Sequence, residues 1–171
     1  TTTRHISAPV GTSANSGTVG ITKTGNGLLQ LSGANLFGGG VNITAGGLAV
    51  AGSSTGTRDT LGVVTAFTNG PVGVGTLTLA NGTYLTADAT ARTLNNDYVL
   101  GSSLGFKGTG SLTLNGATSL TGNTTFTVDT PQGILTLNGL MGENSVGLSL
   151  TKQGLGTLIL GNNNTFTGGV T

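Results

Sequence analysis

The sequence predicts an all-β fold, a right-handed parallel β-helix built as a three-sided solenoid. Three observations point there: Leu-x-Leu pairs recur at a coil-like spacing, an Asn or Gly corner follows most of them, and helix-forming runs are nearly missing.

The pairs are Leu29-Gln30-Leu31, Leu77-Thr78-Leu79, Leu112-Thr113-Leu114, Leu135-Thr136-Leu137 and Leu158-Ile159-Leu160, the last three 23 residues apart. Residues alternate sides along a strand, so the leucines of each pair share one face and the residue between them takes the other. Corners follow at Ser32-Gly33, Asn81-Gly82, Asn115-Gly116, Asn138-Gly139 and Gly161-Asn162. Asparagine and glycine tolerate the left-handed backbone that a tight corner needs. A step of 23 residues suits one turn of a three-stranded coil, with Leu114 and Leu137 pointing inward in register on adjacent coils. The rival is a sheet of hairpins, because Asn-Gly is also the best two-residue hairpin turn. Its period would be shorter, and equivalent leucines would fall on antiparallel neighbours. Glycine and β-branched threonine both lower helix propensity. Only Thr86 to Asn95 could form a short turn of helix.

Composition agrees with a stacked coil. Glycine and threonine each occur 33 times among the 171 residues, and 23 leucines supply a core. Charged residues make up 6%, against roughly 25% in an ordinary soluble protein, so Thr, Ser and Asn must face the water. Without cysteine there are no disulfides and no thiolate metal sites. No run of about 18 apolar residues is present to make a transmembrane helix. Seven aromatics are too few for the girdles of a membrane barrel. A net charge of +1 offers no basic patch for nucleic-acid phosphates. The chain begins at Thr1 without a basic-then-apolar leader, as expected of a processed chain or a piece of a longer one.

A longer repeat is more specific. Ile21 to Val41 reads ITKTGNGLLQLSGANLFGGGV and Leu150 to Val170 reads LTKQGLGTLILGNNNTFTGGV, identical at 11 of 21 positions without a gap. Shared positions include Thr22/Thr151, Lys23/Lys152, Gly25/Gly154, Gly27/Gly156, Asn35/Asn164, Phe37/Phe166 and Gly39-Gly40/Gly168-Gly169. This pattern resembles the autotransporter-associated β-strand repeat, whose usual form is close to LTKTGxGTLTLSGxNTYTGGTT followed by an apolar strand. The first copy runs on through Asn42 to Val50 in the same manner, while Leu28, Leu36 and Gly38 depart from the pattern conservatively. Residues 1–19 lack the coil pattern and read as an N-terminal extension or cap. Residues 20–171 read as the β-helix, with repeats at 21–50 and 150–171 and degenerate coils over Gly70 to Gly147. The resemblance implies a passenger segment, exported and displayed at a bacterial cell surface or secreted.

Few residues suggest chemistry, and neither a catalytic site nor a cofactor or metal site is expected. Polysaccharide-active β-helices need clustered acids with a base nearby. The five acids, Asp59, Asp88, Asp97, Asp129 and Glu143, are scattered, and the densest group is Asp88 and Asp97 with Arg92. Solvated corners or a surface ion pair account for them. His5 is the lone histidine, without partners for a metal. Lys23 and Lys152 recur at one repeat position, which favours a structural role, the stem lying over the coil and the ammonium in water. Phe37 and Phe166 could stack sugars, but matched positions favour core or corner packing. Gly25-Asn26-Gly27 and Gly108-Thr109-Gly110 precede strands and fit no phosphate-binding pattern. Asn42, Asn81, Asn123 and Asn163 sit in N-x-T sequons, which chance explains in so Asn- and Thr-rich a chain.

The expected function is a non-enzymatic structural or adhesive segment, a passenger-like stalk. The alternative is a subunit stacking head-to-tail into an extracellular filament, and a polysaccharide-active enzyme is the third reading. Expected partners are neighbouring coils of a longer parent chain or other copies of itself, with host or surface glycans beyond them. Neither nucleic acid nor insertion into a membrane by this segment is expected.

Overall fold

The computed structural model describes residues 3–6, 17–59 and 63–171 of the chain. Along it run β1 (Thr3–Ile6), β2 (Ile21–Lys23), β3 (Leu28–Leu31), β4 (Val41–Ile43), β5 (Gly47–Val50), β6 (Thr55–Arg58) and β7 (Val64–Asn69). Then come β8 (Leu77–Leu79), β9 (Thr83–Ala87), β10 (Arg92–Leu94), β11 (Tyr98–Leu100), β12 (Ser103–Phe106) and β13 (Ser111–Leu114). The last are β14 (Thr118–Leu120), β15 (Thr124–Val128), β16 (Ile134–Leu137), β17 (Met141–Glu143), β18 (Leu150–Gln153) and β19 (Thr157–Leu160). No helix occurs among the described residues. The stretch Thr86 to Asn95, expected to allow a helical turn, instead ends β9 and forms β10, because both edges of that stretch pair with neighbouring coils.

The strands stack into three parallel faces. Face 1 has seven strands in the order β1-β3-β5-β9-β12-β15-β18, and face 2 has four, β10-β13-β16-β19. Face 3 has β2-β4-β8-β11, and the pair β14-β17 continues it, since Tyr98 N–H donates to the Ala117 carbonyl at 3.1 Å. From β9 onward each coil visits face 1, face 2 and face 3 in turn, whereas the earlier coils place no strand on face 2, and every neighbour in a stack is parallel, as in a β-helix. The leucine pairs are in the register expected: Leu112 and Leu114 lie opposite Leu135 and Leu137, and these opposite Leu158 and Leu160. Leu114 and Leu137 are each 1% exposed. Period-2 alternation makes the inner positions one continuous core, with Phe37, Phe106 and Phe126 fully buried among the leucines.

One coil is much longer than the others. Val41 lies opposite Leu77 and Leu77 opposite Tyr98, so one turn takes 36 residues and the next 21. The surplus is an antiparallel hairpin, β6 with β7, set where face 2 would otherwise begin. Its approach covers the free edge of β10. Ser54 N–H donates to the Thr93 carbonyl at 2.8 Å, and Thr93 and Asn95 N–H donate to the Ser53 and Ser54 hydroxyls. An open strand edge invites pairing with another chain, and this segment closes it.

β1 lies within residues 1–19, and Thr3–Ile6 pairs in parallel with β3 as the outermost strand of face 1. Residues 7–16 of that stretch lie outside the described residues. Of the corner glycines read from the sequence only Gly82 takes the left-handed backbone, while Gly33, Gly116, Gly139 and Gly161 do not. Every described residue with positive φ is a glycine, including Gly25, Gly40, Gly82, Gly154 and Gly169. The corner asparagines do not adopt it, contrary to the expectation, and have another role.

Candidate functional site

The repeat signature is explained residue by residue. Gly25 and Gly154 turn the corner at φ 71° and 79°, and Gly40 and Gly169 do so at 75° and 82°. A side chain at Gly40 would also strike the Thr76 carbonyl of the next coil. Gly39 N–H donates to Val19 and Gly168 N–H to Leu148, both at 2.9 Å. Lys23 and Lys152 stand at strand ends, and the ammonium of each caps the corner that follows. Lys23 Nζ donates to the carbonyls of Thr24, Gly25 and Ala45 at 3.1, 2.6 and 3.0 Å. Lys152 Nζ reaches Gln153 and Gly154 at 2.9 and 2.7 Å. The structural role expected of the lysines stands, with one correction: the ammonium is held on corner carbonyls, which lack a ladder partner, rather than left to water alone.

Asn35 and Asn164 also match. Asn35 is fully buried and its Nδ2 donates to the Pro71 carbonyl at 2.6 Å, while Asn164 Oδ1 accepts the Met141 N–H at 2.9 Å. Each uses its amide to tie one coil to another. Phe37 is fully buried, and Phe166 packs against the core half-buried, so both serve packing.

The densest charged group does not converge. Asp88 pairs with Arg92 at 2.5 Å, bidentately, and the guanidinium holds its carboxyl below the usual carboxylate range. Asp97 turns instead to Arg58 at 3.5 Å and accepts the Ala117 N–H at 2.8 Å. Thus Asp88 and Asp97 brace separate corners. Glu143 is also held low, first by the Thr167 hydroxyl at 2.6 Å and then by the Leu148 N–H at 2.9 Å. His5 pairs through its backbone with Gln30. The four sequon asparagines, Asn42, Asn81, Asn123 and Asn163, are exposed. Among the described residues no three His, Cys, Asp or Glu side chains gather as a metal site.

Two features were not expected from the sequence. The first is a ladder of asparagines at the corner after face 2. Asn115 Nδ2 donates to Asn95 Oδ1 at 2.8 Å, Asn138 Nδ2 to Asn115 Oδ1 at 3.1 Å, and Asn162 Nδ2 to the Asn138 carbonyl at 3.3 Å. Stacked amides of this kind satisfy one another along a coil axis. The Asn-Gly corners at Asn115 and Asn138, 23 residues apart, were the visible signal for it.

The second is on the outer surface of face 1. Tyr84 lies between Gly47 and Gly105 in one outward column. Its ring rests across Gly47, where any side chain would overlap it. Lys107 Nζ sits 4.6 Å from the ring centroid. Above Gly105 the surface sinks into a hollow of about 280 Å³ lined by Tyr84, Ser103, Gly105, Lys107, Thr127 and Asp129. Lys107 and Asp129 directly follow β12 and β15, one coil apart. Only the register reveals this clearing, because the three residues of the column are far apart in sequence.

Segments 21–50 and 150–171 match the family of the passenger-associated transport repeat, the same spans as the repeats read from the sequence. No curated protein and no solved structure matches the chain.

Proposed function

We propose, from two passenger-associated transport repeats seated in a parallel β-helix, that this chain is a non-enzymatic structural or adhesive segment of a secreted or surface-displayed bacterial protein. The carrying observation is what the signature residues are used for. Lys23, Asn35, Gly40 and their counterparts Lys152, Asn164 and Gly169 all serve corners and coil-to-coil bonds. A repeat devoted to stacking makes a rod whose stability accumulates coil by coil. Outer positions of face 2 carry Thr93, Thr113 and Thr136 along with Ile134 and Ile159, all uncharged, so the water-facing side of the stalk is mostly hydroxylic with two exposed isoleucines. Four of the five acids, Asp59, Asp88, Asp97 and Glu143, are held apart in separate ion pairs or backbone bonds.

Electron microscopy and solution scattering of the purified chain, with turnover assays on acidic and neutral polysaccharides, test this reading. A discrete elongated particle without turnover is expected. Polysaccharide cleavage would overturn the non-enzymatic assignment, and regular fibres would replace the stalk with the filament.

A further inference from the structure

Five asparagines precede a glycine, Asn26, Asn69, Asn81, Asn115 and Asn138, and the fold holds the first of them unlike the rest. We infer that the Asn26–Gly27 corner is a self-modifying site, where the side-chain amide becomes an acid without any enzyme. The inference is independent of the stalk and adhesion readings and concerns the chemistry of this corner.

An Asn-Gly pair reacts with itself because glycine has no side chain to hinder its own nitrogen. The Gly27 nitrogen attacks Asn26 Cγ and gives up its proton to water. An N–Cγ bond forms and closes a succinimide ring, the Cγ–Nδ2 bond breaks, and ammonia leaves. Water then opens the ring at either carbonyl. One opening leaves aspartate; the other leaves isoaspartate, with the main chain rerouted through Cγ. Nothing is oxidised or reduced, and water is the co-reactant.

The reaction needs an asparagine side chain free to swing over the next peptide, and a glycine nitrogen not held elsewhere. The other pairs fail on one count or both. Gly70 N–H donates to the Asn35 carbonyl at 3.1 Å, and Gly82 N–H to the Ser103 carbonyl at 3.3 Å. Asn81 Oδ1 also accepts the Ser102 and Ser103 hydroxyls at 2.9 and 2.7 Å. Asn115 and Asn138 are tied into the amide ladder, and Gly139 N–H donates to the Leu114 carbonyl at 3.3 Å. Asn26 is exposed, and neither its side chain nor the Gly27 N–H has a hydrogen-bond partner among the described residues.

The surroundings favour the attack. Asn26 and Gly27 border a hollow of about 390 Å³ that Arg4 and Lys23 also line, with no acid among its described walls. Two cations without a carboxylate draw hydroxide and steady the negative oxygen that forms on Cγ. The product has a structural consequence. Gly47 N–H donates to the Gly27 carbonyl at 3.2 Å, and a Cβ at Gly46 would come 2.8 Å from the Asn26 carbonyl carbon. Isoaspartate lengthens the main chain at this packed point and so loosens the first repeat from the next coil. The second repeat has Leu155 at the matching position and is exempt.

The test incubates the whole chain at mildly alkaline pH and follows each Asn-Gly pair by peptide mass spectrometry, with the chain in urea as reference. In urea all the pairs should convert. In the folded chain Asn26 should convert at least about fivefold faster than Asn69, Asn81, Asn115 or Asn138, giving aspartate and isoaspartate. Asn26→Leu, which installs the residue of the second repeat, should abolish the fast ammonia release while circular dichroism shows the fold unchanged. An Asn26 that stays intact in the folded chain while the urea reference reacts would overturn the proposal. So would Asn115 or Asn138 converting as fast as Asn26, or fast release persisting in Asn26→Leu.

Discussion

Asn138 donates its side-chain amide to Asn115 Oδ1 across one coil, at 3.1 Å, while Asn115 passes its own amide to Asn95 at 2.8 Å. The middle residue is therefore both donor and acceptor, and Asn95 below it is 4% exposed. Removing it leaves one acceptor and one donor without partners.

Asn115→Ala should cost about 2 kcal/mol, mostly from the partly buried Asn95 Oδ1 left unsatisfied. In a chain of this size that lowers Tm by roughly 4–8 °C. Asn115→Asp gives a sharper check. Ionised, it faces Asn95 Oδ1 with a second acceptor, so the folded form raises its pKa. The carboxylic acid can donate, and the variant should approach the parent chain below about pH 4 and fall away as pH rises. Thermal melts of both variants across pH measure this.

Leu137 is 1% exposed and lies between Leu114 and Leu160 on the neighbouring coils. Leu137→Asp buries an unpaired charge and should cost several kcal/mol. Loss of the cooperative melt, or a Tm lowered by more than about 8 °C, is expected. The matched substitution Thr136→Asp on the outer side of the same strand should shift Tm far less. Equal effects at the two positions would contradict the inward assignment.

Tyr98 is 2% exposed and its hydroxyl has no hydrogen-bond partner among the described residues. Burial, aided by the Asp97 carboxylate, pushes the phenol well above its ordinary value of 10.0. Because the folded form keeps its proton after the unfolded form has lost it, stability is unaffected below that value and declines as pH rises above it. In a Tyr84→Phe background, ultraviolet absorbance should report phenolate only as the chain unfolds. Tyr98→Phe removes an unpaired polar group, so it should be neutral or stabilising at pH 7 and should weaken the alkaline decline. A clear loss of stability at neutral pH would show that the hydroxyl has a partner after all.

Much of this architecture was legible because the inward column is written in leucine. Leu112, Leu135 and Leu158 keep one spacing, and the coils between them contain no insertion, so sequence distance equals coil length. Where an insertion intervenes, that equality fails. Nothing local announces that Val41 pairs with Leu77, since the β6–β7 hairpin absorbs the difference. The asparagine corners were visible, but their chemistry was misread: backbone preference suggested left-handed turns, while the side chains are used for the ladder. The hollow beside Tyr84 was hidden for a related reason. Its floor and wall come from Gly105 and Tyr84, ordinary residues whose meaning depends on being placed side by side.

The two repeat copies do not occupy the same faces. The first runs through β2 on face 3 and β3 on face 1, while the second runs through β18 on face 1 and β19 on face 2. Like a screw thread that can be started at more than one angle, the motif specifies a bend between two walls without specifying which walls. Identical residues thus point along different compass bearings around the axis. Loop length does not reset that bearing, because the hairpin is absorbed within its own turn and Val41 still stands opposite Leu77, so a loop can grow between walls while the thread runs on undeflected.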